Sequence, residues 1–128
     1  MDFSFGKAYK LCSLKQIDEL FKEGKRLREF PFQFVFQETT KENIPFQVVV
    51  SVSKRNFKRA HDRNLVKRRM REILRMNKAI LENNLKETNK QLNIAVIYAH
   101  REILEFQQME RKLIKGLHKL TQQIEQND

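Results

Sequence analysis

A single compact α+β domain is the fold class this chain predicts, and three observations lead there. The hydrophobic period switches between about 3.6 and 2 along the sequence, which separates helices from strands. The 128 residues fit one core, and no repeat, linker or second composition interrupts them. Apolar residues make up 40%, with only 3 Gly and 2 Pro, a composition too rich in core formers and too poor in breakers for a disordered chain. The predicted order is helix, strand, strand, helix, strand, helix.

Residues 13–24, SLKQIDELFKEG, form the first helix. Ser13 and Gln16 have capping-box spacing, Leu14, Ile17, Leu20 and Phe21 make one apolar stripe, and Gly24 suits the position past the end. Phe32, Phe34 and Phe36 alternate with Gln33, Val35 and Gln37, the pattern of a half-buried strand. TTKENIP is read as a turn, and Phe46, Val48, Val50 and Val52 alternate with Gln47, Val49, Ser51 and Ser53 in a second strand. The two strands are expected to pair as an antiparallel hairpin. KRNFKRAH, 54–61, is a basic connection without a hydrophobic period. Asp62 is the expected N-cap of the next helix, in which Leu65 or Val66, Met70, Ile73, Leu74 and Ile80 or Leu81 follow one side. Asn83–Gln91 is polar and read as a loop; LNIAVIY, 92–98, is a buried strand. Phe106, Met109, Leu113, Leu117, Leu120 and Ile124 give a last amphipathic helix.

Charge is distributed unevenly. The chain has 26 Lys and Arg against 16 Asp and Glu, net +10, and residues 54–78 hold 11 of the basic residues with only Asp62 and Glu72 against them. That one segment therefore carries +9. Arg63, Lys67, Arg71 and Arg75 recur at four-residue steps on one side of the helix, where like charges repel by a few tenths of a kcal/mol per pair, about 0.2–0.5. A bound polyanion offsets that penalty, because each neutralised phosphate releases counterions. Arginine favours bidentate phosphate contact, and Asn64 adds a donor and acceptor suited to a base edge or sugar hydroxyl.

Other chemistries lack their residues. There is no P-loop, no GxGxxG, and no His or Cys pair at metal-ligand spacing. His61, His100 and His118 are scattered, and the carboxylates, Glu102 and Glu105 among them, decorate helix surfaces. Cys12 is alone, read as a buried or idle thiol in a reducing, cytoplasmic setting. The N-terminus has no signal-like apolar run, and no segment approaches the ~20 apolar residues of a membrane span.

SVSKR, then RNLVKRRMRE, then LNIAVIY, preceded by QIDELFKEG, closely resemble the bacterial ribonuclease P protein family. That family has a VSVSKK-like strand end, an RNRIKRRIRE-like helix start, a DIVVIA-like last strand and a DFxxVFxxG first helix. The resemblance covers about residues 9–120 with the motifs in order. It implies a fold like the second domain of ribosomal protein S5, with a left-handed crossover that breaks the usual handedness rule. It also implies a protein subunit that assists a catalytic RNA in hydrolysing one phosphodiester of precursor tRNA, releasing the 5′ leader. Divalent ions such as Mg²⁺ would sit mainly on that RNA, and catalytic residues of the protein are not expected.

The RNA-binding set is Lys54, Arg55, Arg63, Asn64, Lys67, Arg68 and Arg71, carried over by motif, joined by Lys58, Arg59 and Arg75 from the charge pattern. The leader groove, between the first helix and the open sheet face, would take Ile17, Phe21, Val35, Gln47, Val49, Ser51 and Ser53. Leu65 replaces the family's second Arg, Asn56–Arg59 replaces a Gly-containing turn, and Ile17 and Val35 stand where aromatics are frequent. The expected partners are the catalytic RNA and precursor tRNA, with neither membrane nor DNA. The rival readings are a ribosomal or other structural RNA-binding protein, and a peripheral membrane protein using a basic amphipathic helix. The second is disfavoured because this helix has no Trp or Phe on its apolar side.

Overall fold

The computed structural model describes residues 9–39 and 45–126. Most of the predicted TTKENIP turn lies outside them. The elements are α1 (Leu14–Glu23), β1 (Lys25–Glu29), β2 (Phe32–Glu38), β3 (Phe46–Val52), α2 (Ala60–Thr88), β4 (Leu92–Tyr98) and α3 (Phe106–Gln126). The strands form one sheet in the order β1-β2-β4-β3. The α+β class holds, with β1 added to the expected order.

The expected hairpin of β2 with β3 does not form. β4 lies between them, antiparallel to β2 and parallel to β3. LNIAVIY is buried along nearly its whole length, so it takes a central position, where both faces are covered. β3–α2–β4 is thus the parallel crossover unit of the fold. β1 was missed because KRLRE has one apolar residue. It is a strand because it pairs in register with β2 and turns Leu27 and Glu29 inward.

Two layers of helix cover the sheet. α2 and α3 pack on one face in the main core, which includes Phe32, Phe34, Val50, Val66, Met70, Ile94, Val96, Leu113 and Leu117. α1 lies on the other face, where Leu20 meets Val35 and Ala95, with Leu11 beside them. Gly116 lets α3 sit close to β2: a Cβ there would lie 2.5 Å from Phe34 Cζ, inside the main core. Gly116→Ala gains about 1 kcal/mol of helix propensity but forces overpacking worth about 1–3 kcal/mol. The variant is expected to melt several degrees lower; an equal or higher melting temperature would show that Phe34 yields.

Helix limits depart from the sequence reading for local reasons. Ser13 caps α1 as expected, its Oγ accepting from Gln16 N at 3.3 Å. Gly24 follows at φ −70°, where its N–H donates to Leu20 O and the close approach of Val35 leaves no room for a Cβ. α2 starts earlier than predicted: Arg59 is the N-cap without a side-chain bond, and Asp62 lies inside the first turn, where its charge still complements the helix dipole. The expected loop at Asn83–Gln91 is largely helix. Leu81 and Leu85 belong to the main core, and Asn84 Nδ2 donates to Glu125 Oε1 of α3 at 2.7 Å. The helix ends at Asn89, whose φ of 55° is the left-handed conformation Asn tolerates.

Two polar contacts tie α3 and the segment before it to the sheet. The buried Tyr98 hydroxyl donates to Glu102 O at 2.6 Å and accepts from Leu104 N at 3.1 Å. Burial pushes its phenol pKa up. Glu29, 8% exposed, meets Lys119 Nζ at 2.9 Å and Lys115 Nζ at 3.8 Å. The Lys119 contact is an ion pair off the ideal hydrogen-bond angle. Lys119 is the main reason the Glu29 pKa is lowered, against desolvation that raises it. A depressed carboxyl pKa adds stability above its unfolded value of ~4.3, and that stability is lost as pH falls through the folded value. Lys119→Met is expected to flatten the acid limb of melting temperature against pH; an unchanged limb would place the acid sensitivity elsewhere.

Candidate nucleic-acid interface

The parallel register of β3 with β4 sets the chain direction so that Ser53–Arg59 leads directly into α2. Ser53 is committed to that turn: its Oγ accepts from Arg55 N at 3.1 Å, and its carbonyl accepts from the N–H groups of Asn56 and Phe57. Phe57 is buried in the main core, which anchors the connection and leaves Lys54, Arg55, Lys58 and Arg59 exposed around it. Arg63 reaches back and donates from Nη1 to Phe57 O at 2.7 Å and Lys58 O at 2.9 Å. Its first role is therefore to hold the basic connection against the helix.

Along α2 the cations divide by what they touch. Arg69 donates to Leu104 O at 2.9 Å, which ties α2 to the segment before α3. Arg75 pairs with Glu72, donating from Nε to Oε2 at 3.1 Å; that bond lowers the Glu72 pKa and raises that of Arg75. Lys67, Arg68 and Arg71 make no side-chain ion pair or hydrogen bond among the described residues. Asn64 is exposed beside them. These are the groups with unspent donors, three of them on two successive turns.

Arg68, Arg71 and Arg75 also line a groove of about 440 Å³ along the β3 edge. Glu72 lies among them, and the other walls are Lys10, Leu11 and Cys12 with Val48–Val50. The segment at residues 10–11 forms a bridge to β3, with Leu11 N donating to Val48 O at 3.0 Å. Lys10 thereby joins the basic set, a contribution the sequence reading missed. Nothing in the local pattern of AYKLC places it there; only the tertiary bridge does. Cys12, expected to be buried or idle, is exposed on this wall.

The predicted groove on the sheet's other face is brought together in part. Ile17 and Phe21 of α1 and Val49 of β3 are half-buried around the small core, and Gln47 and Ser51 are half-buried on β3. Val35 is a correction. It is fully buried beneath α1, at 0% exposure, because β2 lies under the helix rather than at the open edge. Gln47 stands opposite Asn93 of β4, whose Nδ2 donates to Gln16 Oε1 at 3.3 Å. Among the described residues no three of His, Cys, Asp and Glu could together hold a metal ion, and no helix is long and apolar enough to cross a membrane.

A sheet covered by α1 on one face, with a basic helix bordering its β3 edge, is an arrangement that comparison with known proteins can test. The family model described as Ribonuclease P matches residues 5–121. This chain belongs to that family. Among curated proteins it is 33% identical over 116 residues to the ribonuclease P protein component of Porphyromonas gingivalis, covering 90% of this chain and 85% of that one. Among solved structures, the ribonuclease P protein from Thermotoga maritima superposes with a TM-score of 0.70 at 26% identity, over 86% of this chain and 96% of that one. The Staphylococcus aureus protein, at 24% identity, shares the fold with a TM-score of 0.69 over 89% and 95% of the two chains. Membership makes this chain a subunit of ribonuclease P, an RNA-binding protein of tRNA processing.

Proposed function

We propose that this chain assists a catalytic RNA in removing the 5′ leader of precursor tRNA, holding the RNA with α2 and the leader with the sheet face beside α1. The observation that carries the reading is the trio Lys67, Arg68 and Arg71, cations without internal partners on one helix of a ribonuclease P family member. Lys54, Arg55, Lys58 and Arg59 extend the surface, and Arg63 orders it through the carbonyls of Phe57 and Lys58. Hydrolysis belongs to the RNA and to Mg²⁺ or a similar ion held there. Among the described residues the protein groove does not fit a metal: Glu72 is its one carboxylate, and Arg75 holds it. The side chains of this domain bind and orient polyanion. The site of action is the cytoplasm, where precursor tRNA is processed.

The leader is proposed to lie along Val49, Ser51 and Gln47 against Ile17 and Phe21. Phe21 is half-buried against the small core of Leu11, Leu20, Val35 and Ala95, so part of its ring serves packing. Phe21→Ala in the holoenzyme is expected to lose about 1–3 kcal/mol of precursor tRNA affinity, the range for a stacked base. Mature tRNA, lacking a leader, should bind as before. A sharp drop in melting temperature with equal losses for both tRNA forms would make Phe21 a core residue only and remove it from the leader site.

A further inference from the structure

We propose that the β1 edge, together with the lysine face of α3 and the Phe30 ring, is a second binding surface for single-stranded RNA. It stands at the opposite edge of the sheet from β3, where α2 packs, since the strand order is β1-β2-β4-β3. Six cations border this edge: Lys25, Arg26 and Arg28 along β1, and Lys112, Lys115 and Lys119 of α3, the last three close to Glu29. Lys115 and Lys119 both approach Glu29, and Lys119 also donates to Arg28 O at 3.3 Å. One buried carboxylate therefore serves several ammonium groups and leaves the edge strongly positive. Glu110 of α3 lies on the opposite side of its helix from these lysines, at 100° per residue, and Glu125 is engaged with Asn84.

Phe30 completes the surface. It directly follows Glu29 at the turn into β2 and is 61% exposed, with its ring held edge-on to His100 at 5.0 Å. An exposed aromatic at the end of a basic strip is the combination that binds single strands, phosphates on the cations and a base on the ring. Arg26 is fixed by donating from Nη2 to Phe21 O at 3.0 Å, and strand alternation puts it with Arg28 on the face opposite Lys25. Cations thus flank both sides of the strand. A competing explanation is that Lys and Arg on an edge strand simply block pairing with other sheets. That need accounts for β1 but not for the α3 lysines, which repel one another along their own helix, and an exposed Phe works against it.

The RNA could be the catalytic RNA or the precursor leader beyond the groove, and the test separates them. Arg28→Cys on a Cys12→Ser background, carrying a photoreactive group, is assembled into holoenzyme with and without precursor tRNA. A cross-link mapped to either RNA supports the surface and names its source. In parallel, binding of an oligouridylate of about a dozen nucleotides is measured against salt, using full-length chain with Lys67, Arg68 and Arg71 changed to Ala so that α2 does not mask the edge. Adding Lys25→Gln, Arg28→Gln and Lys115→Gln is expected to lower the salt slope by about two, near 0.7 per lost contact. Phe30→Ser should weaken binding roughly five- to 150-fold, with melting unchanged because the ring is exposed. No cross-link to any RNA, or a slope unmoved by the charge changes, overturns the proposal. The salt-slope arm lacks the α2 cations at 67, 68 and 71, so its outcome is independent of the function proposed above; the cross-link arm is read only in holoenzyme whose assembly has been verified by co-sedimentation.

Discussion

Replacing Lys67, Arg68 and Arg71 by Ala is expected to flatten the salt dependence of catalytic-RNA binding by about 2.7 slope units, near 0.9 for each phosphate contact on duplex-like backbone. A slope change of that size means the advantage of the native chain shrinks about 40-fold between 50 and 200 mM salt. The fold itself makes no use of these three side chains. None makes an ion pair or hydrogen bond within the described residues, so their removal should leave thermal melting nearly unchanged. Arg63 is a poorer probe, because its guanidinium holds the carbonyls of Phe57 and Lys58 and its loss would also loosen the connection. Binding titrations at three or more salt concentrations decide the matter. A native slope in the triple variant would show that these residues face solvent in the assembled particle.

The protein freed of RNA is expected to make no site-specific cut in precursor tRNA, and cleavage should return when the catalytic RNA is added at low Mg²⁺. Among the described residues, the groove presents a single carboxylate, Glu72, and no histidine to serve as a base. That carboxylate is neutralised by Arg75, and the other walls are Lys10, Arg68, Arg71, a thiol and aliphatic side chains. Positive charge of this kind lowers the cost of bringing RNA strands together but moves no proton. The decisive preparation is one treated with nuclease and then freed of it. Leader release that survives this treatment would move catalysis onto the protein and overturn the division of labour proposed here.

The sequence by itself determined the secondary-structure class, most of the core and the location of the charge. Alternation in Phe46–Val52 and the apolar stripe of α3 are local periodicities that burial enforces residue by residue, so they read correctly, whereas in Phe32–Glu38 the alternation fails at Val35, which α1 covers. The basic run at 54–78 is a property of composition and survives any fold. Strand order was decided elsewhere. β4 enters between β2 and β3 because a strand buried on both faces gains most at the centre of a sheet, and no pattern within β2 or β3 encodes that partner. β1 is a strand by pairing alone, and residues 83–88 of the chain are helical because α3 supplies Glu125 to Asn84 and a core for Leu85. The same distinction runs through the site. The motif named the cations of α2, but only packing showed that Arg63, Arg69 and Arg75 are spent on internal partners, that Val35 is buried, and that Lys10 joins the groove from the far end of the chain. A side chain's type and period are local facts; whether its donors remain free depends on neighbours that the fold brings from distant positions.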